Sequence, residues 1–327
     1  MVKYILKTHQ HKKYTLILFM FFLCFAYSQL DASNGFKILV VNSNAEVEKY
    51  KTVQEEFVKL LPYPVYTFNL GDHDISEGDL KTIKSYDPDL VYSIGGRAYS
   101  FVNKHFSDRQ IVFSSIINWM RLHISKDTYG LSNELHVRLP IYIYRSLFPD
   151  IKKIGIIYSK QFTLQWFKQT RSVAKELDIE IIGKVITDKK NVLSILTDFV
   201  KEVDALWLIS DPFVMPDISY LEKIISICNE NKIPVFSYHD AFVSLGVVLS
   251  VSVDNPTIGR QASGITEALL SGEKLPERIQ LPAGSHVTLN LKKVKDYGIK
   301  YDIEAFRMVN TFVKEETTIQ LDKEEMP

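Results

Sequence analysis

The sequence predicts an α/β protein of two lobes, each built on a doubly wound parallel sheet, joined by a hinge that the chain crosses several times. Three observations lead there. Short apolar runs alternate with helical patterns along most of the chain, which is the signature of parallel strands joined by crossover helices. The length of 327 residues exceeds one ordinary compact core, and 46% hydrophobic with 24% charged residues is a globular composition. Residues 233–276 then hold a short apolar run, a polar loop with His239 and Asp240, a second strand over 246–253 and a capped helix. Their polar side chains stand at the carboxyl ends of strands, where open α/β sheets bind ligands.

The elements follow in order. Residues 37–41 form an apolar strand ending in Asn42, Ser43 and Asn44. Val47, Tyr50, Val53, Phe57 and Leu60 recur at helical spacing and predict a helix over 45–61, broken by Pro62 and Pro64. Strands are expected at 65–70, 90–94 and 111–115, with helices at 74–85, capped by Asp72 or Asp74, and at 98–105. Residues 116–133 have no clear period and read as a loop over the cleft or a crossover. A helix over 134–147 is kinked or started by Pro140. Strands at 153–158, 179–186 and 205–209 alternate with helices at 164–177, 191–200 and 218–231. Asp254, Asn255 and Pro256 end the strand over 246–253 and start a helix, since a small polar cap and an early proline both favour a helix start. A surface helix is expected over 307–325. The resulting division is 1–28 as a signal peptide, 36–133 plus 247–279 as lobe 1, 134–246 plus 280–290 as lobe 2, and 291–327 as a C-terminal helical segment and tail.

The N-terminus reads as an export signal. Lys3, Lys7, Lys12 and Lys13 precede twelve nearly all apolar residues, 15–26, a run too short for a membrane span and suited to a signal core. Ala26 and Ser28 place cleavage after Ser28 and the protein in the periplasm; an uncleaved anchor is the competing reading. Bulky Phe22 and Leu23 before Cys24 disfavour a lipid anchor there. The formal net charge of the whole chain is zero, and removal of residues 1–28 leaves about −4, which gives no support to nucleic-acid binding. Cys228 is then the one remaining cysteine and lies on an apolar helix face, so it is expected in the core; no Cys/His spacing suits zinc, and no cofactor is expected.

The chain resembles the ABC-transporter substrate-binding proteins that include bacterial tryptophan and tyrosine uptake receptors. The resemblance rests on DALWLISDP at 204–212, IPVFS at 233–237, VDN and IGRQA within 253–262, and LNLKKVKDYGI at 289–299, and it covers roughly 37–299. It implies the type I periplasmic-binding-protein fold and a small ligand held between the lobes. Many such relatives carry an Asp-Pro dipeptide just beyond the fourth strand; here the chain reads Ser114, Ser115, Ile116, Ile117, Asn118, Trp119, which puts apolar side chains in place of a polar anchor.

The expected ligand contacts all follow predicted strands, and each has a plainer structural alternative. Asn42 and Ser43 offer uncharged donors and acceptors, or ordinary turn chemistry. Gly95, Gly96, Arg97 and Ala98 open a helix: the glycines admit a ligand to the backbone, the helix start favours an anion, and Arg97 can pair a carboxylate or stand solvated. Ser114 and Ser115 end the fourth strand, and Trp119 is a stacking platform or core. In lobe 2, Ser159 and Asp211 face the same cleft; Asp211 meets a ligand amine, or else caps a helix or forms an interlobe pair. His239 lies in a ligand-facing or hinge loop, and Asp254 is a cleft residue or an N-cap. His239 and Asp240 invite a catalytic reading, but G-x-S-x-G is absent and the protein is not expected to be an enzyme. The reading is an exported monomeric solute-binding protein that closes on a small amphipathic ligand by hinge bending and is read by an ABC permease. The alternative is a sensing module that presents its ligand to a membrane sensor kinase.

Overall fold

The computed structural model describes residues 35–72 and 75–314. The expected signal peptide, Cys24 and the end of the expected C-terminal helix lie outside the described residues. Among the described residues two sheets form. The first orders its strands β11-β5-β4-β3-β1-β2, with β1 Ile38–Asn42, β2 Val65–Asn69, β3 Leu90–Ile94, β4 Gln110–Ile116, β5 Thr128–Ser132 and β11 Ile279–Gln280. The second orders β13-β12-β10-β9-β8-β6-β7, with β6 Lys153–Ser159, β7 Glu180–Ile186, β8 Ala205–Trp207, β9 Val235–Ser237, β10 Leu249–Val253, β12 Ser285–Asn290 and β13 Thr311–Val313. Every pairing is parallel except β10 with β12.

Both faces of each sheet are covered, so the central strands read as continuous apolar runs. In β1, Ile38 and Val40 face helices α1 (Glu48–Leu60) and α8 (Asn255–Leu270), while Leu39 and Val41 face the opposite core with Ala98, Tyr99 and Val102 of α3 (Gly96–His105). The second sheet repeats this. Ala205 and Trp207 lie with α4 (Arg138–Leu147) and α5 (Leu164–Glu176), and Leu206 with α6 (Val192–Phe199) and α7 (Ile218–Glu230). Cys228 is fully buried in that second core, and burial pushes its thiol up to about 12.

Several sequence expectations change. Residues 116–133 are not all loop: they contain β5, which pairs with β4 through a register shift at Ser115, a residue with φ of 60°. Helix α2 (Glu77–Ser85) starts later than expected, in a capping box between Ser76 and Asp79. The strand assigned to lobe 1 from residue 247 belongs to the second sheet, because β10 pairs with β9 on one side and β12 on the other. The chain enters the first lobe only at Asp254, which accepts a hydrogen bond from Thr257 N at 3.0 Å and caps α8. The expected surface helix from 307 is instead the end of a short 3-10 turn, Glu304–Met308, followed by β13 on the edge of the second sheet.

The chain therefore passes between the sheets three times, at 133–137, at Asp254 and at 281–284. The last two are tied together. Asp254 N donates to Gly284 O at 3.2 Å, and a side chain at Gly284 would press on Thr257 and Asp254 at about 3 Å. Gln261 of α8 holds Ala283 N and Leu281 O from the same crossing.

Helix α8 docks on α1 through Gly259. A Cβ there would collide with Val53 O and sit 2.9 Å from Glu56 Cβ, so the two backbones touch directly. Gly264 on the same helix is exposed and meets nothing within 4 Å. Gly259→Ala is expected to destabilise the protein by about 1–3 kcal/mol through overpacking, and Gly264→Ala to stabilise it by roughly 0.5–1 kcal/mol through helix propensity. Urea denaturation of the two variants checks the opposite signs.

Candidate functional site

A cavity of about 260 Å³ opens between the lobes. Its first wall is the segment after β4, from Ile117 to Met120, together with Ser132 and Asn133 at the end of β5. Its second wall comes from lobe 2: Phe162, Thr163 and Trp166 at the start of α5, Trp207 to Ser210 after β8, and Tyr238 after β9. The floor is formed by the crossings themselves, with Glu134 and Val137 from one and Val253 and Leu281 from the others. Strand ends from both sheets thus converge on one space, as a doubly wound topology requires.

The walls are mainly apolar, with six aromatic rings among them. Trp119, Tyr144, Phe162, Trp166, Trp207 and Tyr238 all line the cavity, and the chain's three tryptophans are all among them. Their positions are set by packing on one another: Trp207 stands edge-on to Tyr144 at 5.1 Å and to Trp166 at 5.2 Å. The Tyr144 hydroxyl is buried without a hydrogen-bond partner. Two contacts join the facing walls. Asn118, with φ of 57°, donates from Nδ2 to Ser210 Oγ at 2.8 Å, and the Arg121 guanidinium lies 4.5 Å from the centre of the Phe162 ring.

Glu134 is the acidic residue of the lining. Its Oε1 accepts from Asn118 N and its Oε2 from Ser132 Oγ, so the carboxylate is fixed by both the β4 and β5 ends. Burial pushes its pKa above the ordinary carboxylate range, against the lowering effect of Ser132, Asn118 and Arg121.

Of the residues expected from sequence, Trp119 lines this cavity; the others do not. Asn42 and Ser43 are fully buried. Asn42 Nδ2 donates to Gln54 Oε1 at 3.0 Å, and Ser43 Oγ accepts from Ala98 N at 3.0 Å, capping α3 from a neighbouring strand. Gly95, at φ of 87°, leaves room for that Ser43 hydroxyl, which a Cβ would strike at 2.5 Å. Gly96 opens α3, and Arg97 turns away to Gly71 O at 2.5 Å, with Asp72 at 3.9 Å. Ser114 Oγ pairs with the Tyr92 hydroxyl at 2.6 Å, and Ser115 stands beside it at the bulge. His239 is nearly buried. Its Nδ1 accepts from Ala241 N at 3.2 Å, and burial with the nearby Lys49 charge holds its pKa well below the usual imidazole value. Asp254 serves the hinge as a cap, not the cavity wall.

Asp211, expected to meet a ligand amine, is completely buried and is filled from its own lobe. Oδ2 accepts from Ser159 N and Ser159 Oγ, both at 2.8 Å, and from Thr163 Oγ1 at 2.5 Å, while Oδ1 accepts from Phe213 N at 2.9 Å. Ser159 is consumed in the same knot. The carboxylate ties the ends of β6 and β8 to the start of α5, and so fixes the loops that carry Phe162 and Ser210 to the cavity.

Sequence reasoning missed Glu134, Asn118 and the aromatic set of lobe 2. The signal available was the order of strand ends: had β5 been recognised, Ser132, Asn133 and Glu134 would have stood at its carboxyl end.

The model of the family described as ABC transporter substrate binding protein matches residues 63–308. A curated tyrosine-binding protein of Clostridioides difficile (strain R20291) is 22% identical over 196 residues, covering 57% of this chain and 56% of that protein, so the chain spans little more than half the length of that relative in the match. Among solved structures, a domain in complex with L-Trp from Streptococcus pneumonia has 17% identity and a TM-score of 0.60, covering 85% of this chain and 99% of that one. The ligand-free, open structure of a substrate binding protein with adhesive properties from Clostridium difficile has 17% identity and a TM-score of 0.64 at the same coverage. At these identities the likeness to the solved structures is one of fold: two α/β lobes of type I periplasmic-binding-protein form.

Asp211→Ala removes the acceptor of four donors, three of them buried, at a cost of roughly 2–3 kcal/mol in the ligand-free protein. Thermal unfolding of the empty variant should show that loss. An unchanged melting temperature would mean that the carboxylate is not the knot at this corner.

Proposed function

The chain belongs to the ABC transporter substrate binding protein family, and on that premise we propose that it is the extracytoplasmic receptor of an importer, closing its lobes on one small amphipathic ligand. The observation that carries this reading is the aromatic cavity between two lobes that the chain links by three crossings. Such a cavity takes an apolar body on its rings and orients a polar end with the few groups among them, here Glu134, Asn118, Ser210 and the Tyr144 hydroxyl. The ligands that the relatives are named for, tyrosine and L-Trp, make aromatic amino acids the reference class. The proposed ligand contacts are Trp119 with Tyr144, Phe162, Trp166, Trp207 and Glu134, while Asn42, Ser43, Ser159 and Asp211 hold the frame. Nothing in this arrangement calls for catalysis.

Export follows from the same role. The basic start and short apolar segment, 15–26, are proposed to be removed after Ser28, leaving a soluble monomer whose closed form docks on a membrane permease. The family is named for transport, so the sensing alternative is set aside.

Closure is checked by small-angle scattering beside a thermal-shift screen of amino acids and other small metabolites. A ligand present at a hundred times its Kd is expected to stabilise the protein by about 2.7 kcal/mol and to lower the scattering radius slightly, each lobe staying intact. A saturating ligand that leaves the scattering curve unchanged would contradict hinge closure.

A further inference from the structure

On the reading that this cavity holds the ligand, we infer that the ligand is an organic monocation: an amine on an aromatic or apolar body, without a carboxylate, with Glu134 as its counter-ion. The charge of the lining carries the inference. It contains one carboxylate, Glu134, and no lysine or arginine. His136 also lines it, with its Nδ1 accepting from Arg138 N at 3.3 Å.

The guanidinium behind the wall does not reverse this balance. Arg121 lies over the Phe162 ring and feels the charges of both Asp211 and Glu134. Two carboxylates against one guanidinium leave one negative charge. A charge enclosed in an apolar cavity is costly unless it is paired. A monocation pairs it. A zwitterion leaves the same excess and brings a carboxylate of its own, for which the lining offers no cationic partner.

The geometry at Glu134 suits this role. Asn118 N and Ser132 Oγ occupy one position on each carboxylate oxygen and fix its direction, and each oxygen keeps capacity for another donor. The surrounding rings of Trp119, Tyr144, Phe162, Trp166, Trp207 and Tyr238 attract cations through their faces and bury the ligand's apolar body.

The test is isothermal titration of the full exported chain with probes that share one ring and differ in charge: tryptamine, L-tryptophan and indole-3-acetate, then tyramine and L-tyrosine. The amines are expected to bind at least tenfold more tightly than the amino acids with the same ring, and the acid most weakly. Glu134→Gln should lose at least tenfold in amine affinity; should that variant fold poorly, the series on the unaltered protein decides alone. An amino acid that binds as tightly as its amine overturns the inference and leaves the receptor reading standing. So does a neutral or anionic solute that closes the lobes when every amine fails. If no solute of any class compacts the protein, the receptor reading falls, and the ligand class with it.

Discussion

Each sheet of this protein buries both of its own faces, and that constraint shapes everything between the lobes. With helices on either side of each sheet, each core is complete within its own lobe. What joins the lobes is three chain crossings and a small set of contacts, chiefly Asn118 to Ser210 and Arg121 over Phe162. Two of the crossings are knotted where Asp254 caps α8 and meets Gly284. A joint of this kind can bend without disturbing either core, and the cavity lies between the two faces that bending would bring together.

The same constraint sorts the polar residues that follow the strands into two kinds. Where a strand end lies deep against a helix start, its polar side chain must satisfy that helix. Ser43 caps α3, and Asp211 binds Ser159, Thr163 and Phe213. Removing such groups from water is tolerable because each finds its partners inside the lobe. Where a strand end lies at the mouth between lobes, as at Asn118, Glu134 and Ser210, the side chains reach across the gap or line the cavity within it. The first group makes the frame rigid, and the second faces the cavity. Asp211 connects the two, since the loops it fixes carry Phe162 and Ser210.

Much of the fold was legible in the sequence, because buried parallel strands and amphipathic helices have distinct periods. The strand at 128–132 was not. It is short, carries Gly130 against the Phe113 ring, and pairs across a bulge at Ser115, so its pattern has no run to detect. Losing it hid Glu134. The lobe to which β10 belongs was also illegible, since the run Leu249–Val253 is fully buried and suits either sheet, and only its pairing with β9 and the antiparallel β12 decides. The site was read one step too broadly: topology says which strand ends converge, but not which of their polar groups are already spent on helix caps. Trp119 lines the cavity because a large ring after β4 has no cap to serve.

The central claim is that the ligand lies among these rings, and intrinsic fluorescence tests it most directly. The chain has three tryptophans, Trp119, Trp166 and Trp207, and all three line the cavity. Titration with a non-fluorescent ligand that raises the melting temperature should shift or quench tryptophan emission, saturating at the same concentration as the thermal effect. A ligand that stabilises the protein while the emission spectrum stays unchanged would place its site elsewhere and contradict the account.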